Sequence, residues 1–196
     1  YQTNVPGKEY HPPTSYVNKQ RIETFNENRK IINNGSYNLH GRQHYIKKDY
    51  DYSIQNTIIV SDRDPLPIDS NIDSKRKKLT PKEREFLYQR VTVTTDSTFA
   101  AAMKGKQTSK KVCVLNFASA TQPGGGVLNG RNAQEESLSR QSTLYFSLAK
   151  MDKFYEYNKQ NYDPMGTDFM IYSPNVIILR DDNDKLIDPI KVSVIS

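Results

Sequence analysis

The sequence predicts an α/β protein with a mixed sheet flanked by helices, and two observations support this. Runs rich in apolar or β-branched residues, typical of strands, lie at residues 56–60, 91–96, 110–118, 174–182 and 189–196. Segments with apolar residues at helical spacing stand between them, at residues 17–34, 97–105 and 132–160. Strands and helices that alternate along one chain are typical of this class.

The N-terminal region divides into an arm and a helix. Residues 1–16 are polar and rich in proline, so we expect a flexible arm there. The spacing of Val17, Phe25 and Ile32 then predicts a helical extension that ends at Gly35. We place one domain at residues 17–196. Because the last residues lie in an apolar strand, we expect that domain to be incomplete at its C-terminal end.

The middle of the chain carries weaker patterns. Residues 40–61 alternate enough to suggest strands, and residues 80–90 begin with helix-capping residues. His40 and His44 have the spacing of metal ligands on a helix, but they flank Gly41 in this strand-like stretch. Since no third ligand is evident, we expect surface histidines and no metal site.

Cysteine usage bears on the compartment. The chain has one cysteine, Cys113, so it can form no internal disulfide. The apolar run at residues 110–118 predicts a strand covered on both faces, with a buried thiol. A single cysteine favours an intracellular location, cytoplasmic or nuclear. No signal peptide and no apolar run of membrane-spanning length is found, so we expect no membrane partner.

The charge leaves two interpretations open. The net charge is +6, from 28 basic and 22 acidic residues. Such an excess favours anionic partners such as nucleotides or nucleic acid, but it is equally the charge of an ordinary basic surface. Much of it lies in residues 74–84, which could be a polyanion patch, a nuclear-import signal or a solvated loop.

Three consecutive glycines at 124–126 follow the apolar strand and precede a helix. Glycines at the end of a strand let backbone N–H groups turn toward a ligand, and a nearby helix start adds further free N–H groups. The pattern therefore fits an anion or diphosphate cradle. A plain turn explains three glycines as well, since no Walker A lysine or GxGxxG spacing accompanies them.

Two adjacent glutamates begin the next helix. With Asn132 as N-cap, Glu135 occupies the capping-box position, which explains Glu135 better than Glu136. Neighbours on a helix point about 100° apart, so the two cannot face each other like an ordinary glycosidase pair. If they carry chemistry, one carboxylate transfers a proton and the other positions substrate.

Three glycines, seven residues and then Gln134-Glu135-Glu136 resemble the signature of microbial-type poly(ADP-ribose) glycohydrolases, which have a macrodomain fold. The LNFASA strand end and the QEESLSRQSTLY stretch also match, and the resemblance covers roughly residues 17–196. It implies a macrodomain-like fold and hydrolysis of the ribose–ribose O-glycosidic bond in poly(ADP-ribose), with ADP-ribose as the product. It implies no metal and no cofactor.

The resemblance also implies roles for individual residues. Glu135 matches the glutamate that contacts the distal ribose hydroxyls, and Glu136 matches the catalytic acid/base. The glycines would line the diphosphate and the distal ribose, and Ser119 stands where macrodomains usually carry an asparagine. The implied substrate-binding residues are Asn116, Ser119, Gly124, Gly125, Gly126 and Gln134.

Two other functions stay open at this point. A macrodomain-like reader would bind ADP-ribose without cleaving it, while the intact QEE motif favours the enzyme. A nucleic-acid-binding protein would use the basic run, but nothing in the sequence resembles an element that reads a groove, so we expect no direct nucleic-acid binding. The expected partners are poly(ADP-ribose) or an ADP-ribosylated protein.

Overall fold

The computed structural model describes residues 14–61, 80–82, 85, 91–109, 111–161 and 167–196. The elements run in the order α1 (Thr14–Asn34), β1 (Ser36–Leu39), β2 (Arg42–Tyr45), α2 (Lys47–Asn56), β3 (Ile58–Val60), α3 (Thr98–Thr108), β4 (Cys113–Leu115), a 3-10 helix (Val127–Asn129), α4 (Gln134–Gln141), α5 (Leu144–Leu148), α6 (Asp152–Gln160), β5 (Met170–Arg180) and β6 (Leu186–Ile195). Among the helices of these ranges, none combines the length and the apolar character that a membrane span requires.

A four-stranded sheet with the order β3–β5–β6–β4 organises the fold. β4 runs parallel to β6, with Cys113 opposite Ser193, while β5 is antiparallel to both β3 and β6. The predicted mixed sheet is therefore confirmed. β1 and β2 form a separate antiparallel hairpin.

β5 carries the core on both of its faces. Val176 and Ile178 pack with residues of α3 to α6, while Ile177 and Leu179 pack with α1 and β1. Successive residues of a strand point to opposite faces, so an uninterrupted apolar run is what a central strand requires. The predicted strands at 174–182 and 189–196 are confirmed as β5 and β6.

The N-terminal helix is confirmed and is longer than predicted. α1 begins at Thr14, so residues 14–16 of the predicted arm are helical, whereas residues 1–13 lie outside the described residues. Gly35 ends the helix with φ of +70°, and its N–H donates to the carbonyl of Ile32. α1 packs against α4, the 3-10 helix and β1.

Several element predictions need correction. Within residues 40–61, the expected strands are confirmed at β2 and at β3, which lies inside the run predicted at 56–60. The residues between them form the helix α2, whose polar sequence is held in place by packing against β5. The predicted helix at 97–105 continues past Gly105 to Thr108. Residues 132–160 form three helices, α4 to α6. The predicted helix at 80–90 and the basic run at 74–84 lie largely outside the described residues.

The strand predicted at residues 91–96 is wrong. Val91 is 67% exposed and Val93 is 91% exposed, and the segment pairs with no strand among the described residues. β-branched content reflects how well a segment fits beside a neighbouring strand, so it does not form a strand alone. The expected burial of β4 on both faces is also wrong, since Cys113 and Leu115 are exposed. Among the described strands, β4 has only β6 beside it.

Candidate active site

Gln134 joins the end of β4 to the start of α4. Its Oε1 accepts a 2.7 Å hydrogen bond from the N–H of Phe117, and its Nε2 donates to the carbonyl of Leu115 at 2.9 Å. Nε2 also donates to Thr98 Oγ1 in α3 at 3.1 Å. The amide is thus engaged within the protein, where it sets α4 against the strand end. A contact of Gln134 with substrate stays a prediction.

Glu135 lies almost entirely buried behind this junction, with 4% of its surface exposed. Its Oε2 accepts from the N–H of Ser119 at 2.8 Å, and its Oε1 accepts from the N–H of Gly124 at 3.2 Å and from Asn116 Nδ2 at 3.5 Å. Burial raises the pKa of this carboxyl above its ordinary value, although the three donors act to lower it and the Glu136 charge adds a small rise.

Glu136 is held by a different pair of donors. Its Oε1 accepts from the N–H of Gly126 at 2.8 Å, and its Oε2 accepts from the N–H of Ala133 at 2.9 Å. The side chain is 7% exposed. Backbone donors on both oxygens fix the plane of the carboxylate before any ligand binds.

The glycine loop wraps around the two carboxylates. Gly124 and Gly125 have φ of +67° and +56°, a backbone region that suits glycine. The N–H groups of Gly124 and Gly126 bind the glutamates, and that of Gly125 donates to the Gln122 carbonyl at 3.1 Å. The loop therefore binds two of the protein's own carboxylates, whereas the prediction was a cradle for an anionic ligand. Its contact with a diphosphate stays a prediction.

Gly125 lies directly against both glutamates. A Cβ placed on it would lie 2.6 Å from Glu136 Oε1 and 3.2 Å from Glu135 Oε2. Any larger residue would therefore displace the carboxylates, so the absence of a side chain at Gly125 keeps the space beside them open.

Asn116 and Ser119 flank Glu135, and most of their polar atoms form hydrogen bonds within the protein. Asn116 Nδ2 also donates to Ser196 Oγ at 3.1 Å, while its Oδ1 is buried and has no partner among the described residues. Ser119 Oγ accepts from the N–H groups of Thr121 and Gln122, which makes a local turn. Ribose contacts of both residues stay predictions.

The predicted helix cap is displaced by one residue. α4 starts at Gln134 with Ala133 as its N-cap, so Glu136, not Glu135, makes the capping bond to the N-cap N–H. Asn132 lies outside the helix, and its Oδ1 accepts from Ser137 Oγ and Arg140. The interpretation of Glu135 as a capping residue is therefore wrong.

Two tyrosines, Tyr145 and Tyr155, lie near the site. A Cβ on Gly124 would lie 2.7 Å from Tyr145 Cδ2, so that ring packs against the loop. The hydroxyl of Tyr155 is buried, and burial together with the Glu135 charge raises its pKa. No sequence signal separated these tyrosines from ordinary core residues.

The other candidate groups lie outside this cluster. His44 is 8% exposed rather than on the surface, and its Nε2 lies 3.1 Å from Asp188 Oδ1. Cys113 is exposed, although partial burial raises the pKa of its thiol. In the part of the chain that the structure describes, histidine, cysteine and acidic residues form no group able to hold a metal ion.

Known proteins resemble this chain in sequence and in fold. Residues 26–181 match the family described as "Microbial-type PARG, catalytic domain". The fold is similar to poly(ADP-ribose) glycohydrolase from Thermomonospora curvata bound to the inhibitor ADP-HPD, at 32% identity and a TM-score of 0.73, covering 90% of this chain and 62% of that chain. The enzyme from Deinococcus radiodurans in complex with ADP-ribose is 33% identical with a TM-score of 0.55, covering 81% of this chain and 57% of that chain.

The predicted macrodomain-like fold class is thereby confirmed. No curated protein matches the chain. The chain spans 62% or less of the length of these two solved relatives. Because the family match covers most of the chain, and the residues of the predicted signature lie together in one site, the chain belongs to the catalytic-domain family of microbial-type poly(ADP-ribose) glycohydrolases.

Proposed function

We propose that the protein is a glycosidase that hydrolyses ribose–ribose O-glycosidic bonds in poly(ADP-ribose) and releases ADP-ribose. The observation that carries the proposal is the pair of adjacent buried carboxylates, Glu135 and Glu136, held by backbone N–H groups of one glycine loop. The relatives support the ligand class, since one solved structure contains ADP-ribose and another contains the inhibitor ADP-HPD.

Glu136 takes the role of acid and base. A carboxylate can accept about four hydrogen bonds, and Glu136 accepts two, one on each oxygen. Each oxygen therefore has one lone pair left for a proton or for a hydrogen bond from a reacting group. Cleavage at the anomeric carbon passes through an oxocarbenium-like state. Glu136 first protonates the departing ribose oxygen, and the resulting carboxylate then takes a proton from the water that attacks the anomeric carbon.

Glu135 takes the role of positioning the distal ribose. Three of its acceptor sites are already filled by Ser119, Gly124 and Asn116, which leaves room for about one hydroxyl donor. A fixed carboxylate that accepts from a ribose hydroxyl holds the sugar in register with Glu136. Such orientation of the reacting groups supplies a large part of the rate enhancement in many enzymes.

The remaining predicted residues support these two. Gly124, Gly125 and Gly126 line the sugar and diphosphate, while the N–H groups of Gly124 and Gly126 bind the glutamates. Asn116 and Ser119 border the distal ribose. Gln134 acts through the position of the β4 end, since its side-chain amide is already engaged there.

The polymer and the cellular setting are part of the same proposal. A net charge of +6 suits a substrate that carries two phosphate charges in every repeating unit. We propose poly(ADP-ribose) or an ADP-ribosylated protein as the partner. An intracellular location, cytoplasmic or nuclear, agrees with a chain that has one cysteine.

Labelled poly(ADP-ribose) tests the proposal. Wild-type protein is expected to release ADP-ribose, and Glu136→Gln to lower the rate by about 10²–10⁴-fold while ADP-ribose still binds in calorimetry. Glu156→Gln, on the exposed side of α6, is the matched control and should keep wild-type activity.

The alternatives give different results. Wild-type protein that binds ADP-ribose but releases none from labelled poly(ADP-ribose) would be a reader, which binds without cleaving. Glu136→Gln with wild-type activity would remove Glu136 from the mechanism. The glutamine in Glu136→Gln presents an NH₂ group to one of the two backbone N–H donors, which can lower the stability of the fold. Unfolding curves of Glu136→Gln and Glu156→Gln are therefore measured with the assay.

A further inference from the structure

We propose that Asn132 and Arg140 are positioning residues that hold the Ala133 N–H group on the Glu136 carboxylate. The kinetic part of this proposal rests on the proposed glycohydrolase function, and its structural part does not. Neither side chain bonds to Glu135 or Glu136, so both act through the peptide group between Asn132 and Ala133.

The peptide group between Asn132 and Ala133 connects the two positioning residues to the Glu136 carboxylate. The N–H of Ala133 donates to Glu136 Oε2 at 2.9 Å. A peptide group is planar, so the direction of this N–H is set by where Asn132 lies. The side chain of Ala133 has no polar atom with which to fix its own backbone.

Asn132 is exposed but tied down from two sides. Its Oδ1 accepts from Arg140 Nη2 at 2.9 Å and from Ser137 Oγ at 3.1 Å. Both donors belong to α4, so the residue before the helix is bound to the helix it introduces. Without these bonds, an exposed asparagine at the end of a glycine-rich loop would move freely.

Arg140 is a rigid anchor for that contact. It is 6% exposed, its Nε lies 3.1 Å from both carboxylate oxygens of Asp184, and its own carbonyl accepts from Asn28 Nδ2. The planar guanidinium therefore links the β5–β6 turn to Asn132. The Arg140–Asp184 ion pair is only partly buried, and such a pair is weak evidence for stability, because an apolar residue often stabilises the fold as well. Its fixed geometry is better explained by what it positions.

The effect should be partial. Gly126 holds the other oxygen of Glu136 independently of Asn132. Loss of the Ala133 bond leaves the carboxylate attached at one oxygen and free to rotate about its terminal torsion, which is intrinsically soft. We therefore expect a fall in turnover much smaller than removal of the carboxylate causes.

Three variants test the proposal: Asn132→Ala, Asn132→Asp, which keeps an oxygen acceptor, and the control Asn183→Ala, an exposed asparagine of the β5–β6 turn. In Asn132→Ala we expect kcat to fall roughly tenfold with little change in KM, since misplacing a catalytic group affects turnover more than binding. Amide exchange at Ala133 should accelerate, while the Tm stays near that of wild type. Asn132→Asp should restore both readouts, and Asn183→Ala should change neither.

The exchange measurement decides the proposal by itself. Unchanged protection of the Ala133 amide in Asn132→Ala would overturn it, as would a rise in KM at constant kcat, which would place Asn132 against the substrate. If wild-type protein releases no ADP-ribose, the proposed function fails, and the exchange rates still show whether Asn132 holds the Ala133 N–H.

Discussion

The N–H of Gly126 donates a 2.8 Å hydrogen bond to Oε1 of Glu136, ten residues further along the chain. The N–H of Gly124 does the same for the neighbouring Glu135 at 3.2 Å. Since adjacent helical side chains point about 100° apart, one loop can serve both only if it bends around them. The positive φ of Gly124 and Gly125 provides that bend, so the glycine run and the paired glutamates form one structural unit.

Gly125→Ala should therefore damage the site directly. The new Cβ would lie 2.6 Å from Glu136 Oε1. Because both oxygens of this carboxylate are held by backbone N–H groups, it cannot move aside without losing a hydrogen bond. We expect kcat/KM for ADP-ribose release to fall by about 10²-fold, as expected when a catalytic group is displaced by about 1 Å.

Gly41→Ala is the matched control for this change. Gly41 has φ of +81°, and a Cβ there would meet nothing within 4 Å. Both alanines bear the left-handed backbone strain of about 1–2 kcal/mol, but only the one at Gly125 touches a carboxylate. Equal losses of activity in the two variants would show that strain, not contact, is responsible.

The sequence predicted the fold where one element determines its own structure. α1 and Gly35, and the long apolar runs of β5 and β6, needed no tertiary information. Residues 91–96 and β4 failed because the burial of a strand depends on which strands lie beside it. α2 was missed because its polar sequence is held in place by packing against β5.

The site shows the same limit. The motif predicted that Glu135, Glu136 and the glycines lie together, because their spacing is specific. It did not show that the glycine N–H groups bind the glutamates, nor that Gln134 braces the strand end. Hydrogen bonds of this kind depend on the path of the loop, which composition and periodicity leave undetermined.

Glu135 should make stability depend on pH. Burial raises the pKa of its carboxyl in the folded protein above the ordinary value of 4.5. The folded state then binds the proton more tightly than the unfolded state, so this contribution to stability is complete below 4.5 and is lost as pH rises through the raised value. Glu135→Gln cannot titrate and lacks this loss.

Urea unfolding of wild type and Glu135→Gln across about pH 4 to 8 measures the effect. The free energy of unfolding of wild type minus that of the variant should decrease with pH, by at most about 1.4 kcal/mol per pH unit for one proton. Taking the difference removes the groups common to both proteins. A difference that stays flat, or grows with pH, would contradict a raised pKa at Glu135.

Gln134→Ala should act on stability more than on ligand contact. It removes the acceptor of the Phe117 N–H and the donor to the Leu115 carbonyl at the end of β4. We expect the free energy of unfolding to fall by about 1–3 kcal/mol. Gln20→Ala, on the exposed face of α1, should change it little. A large loss of ADP-ribose affinity at unchanged stability would instead mean that Gln134 contacts the ligand.

Asn28 is a buried polar residue of α1 that joins this helix to α4 and β5, and it has no exposed surface. Its Nδ2 donates to the Arg140 carbonyl in α4 at 2.6 Å, and its Oδ1 accepts from Arg180 Nε in β5 at 2.7 Å. Asn28→Ala removes the partner of the Arg140 carbonyl and that of the Arg180 Nε, although the guanidinium keeps its bonds to Glu27 and the Asp184 carbonyl. Since one of the two lost hydrogen bonds involves a charged group, we expect the free energy of unfolding to fall by about 2–4 kcal/mol.

Asn26→Ala changes the same residue type on the exposed side of the same helix and should stay within about 0.5 kcal/mol of wild type in urea unfolding. If Asn28 joins α1 to the site, its variant should stop releasing ADP-ribose at temperatures where the Asn26 variant still does. Equal stability of the two variants would mean that α1 only covers the domain. A loss confined to Asn28 would make the helix part of what keeps α4, and with it Glu136, in place.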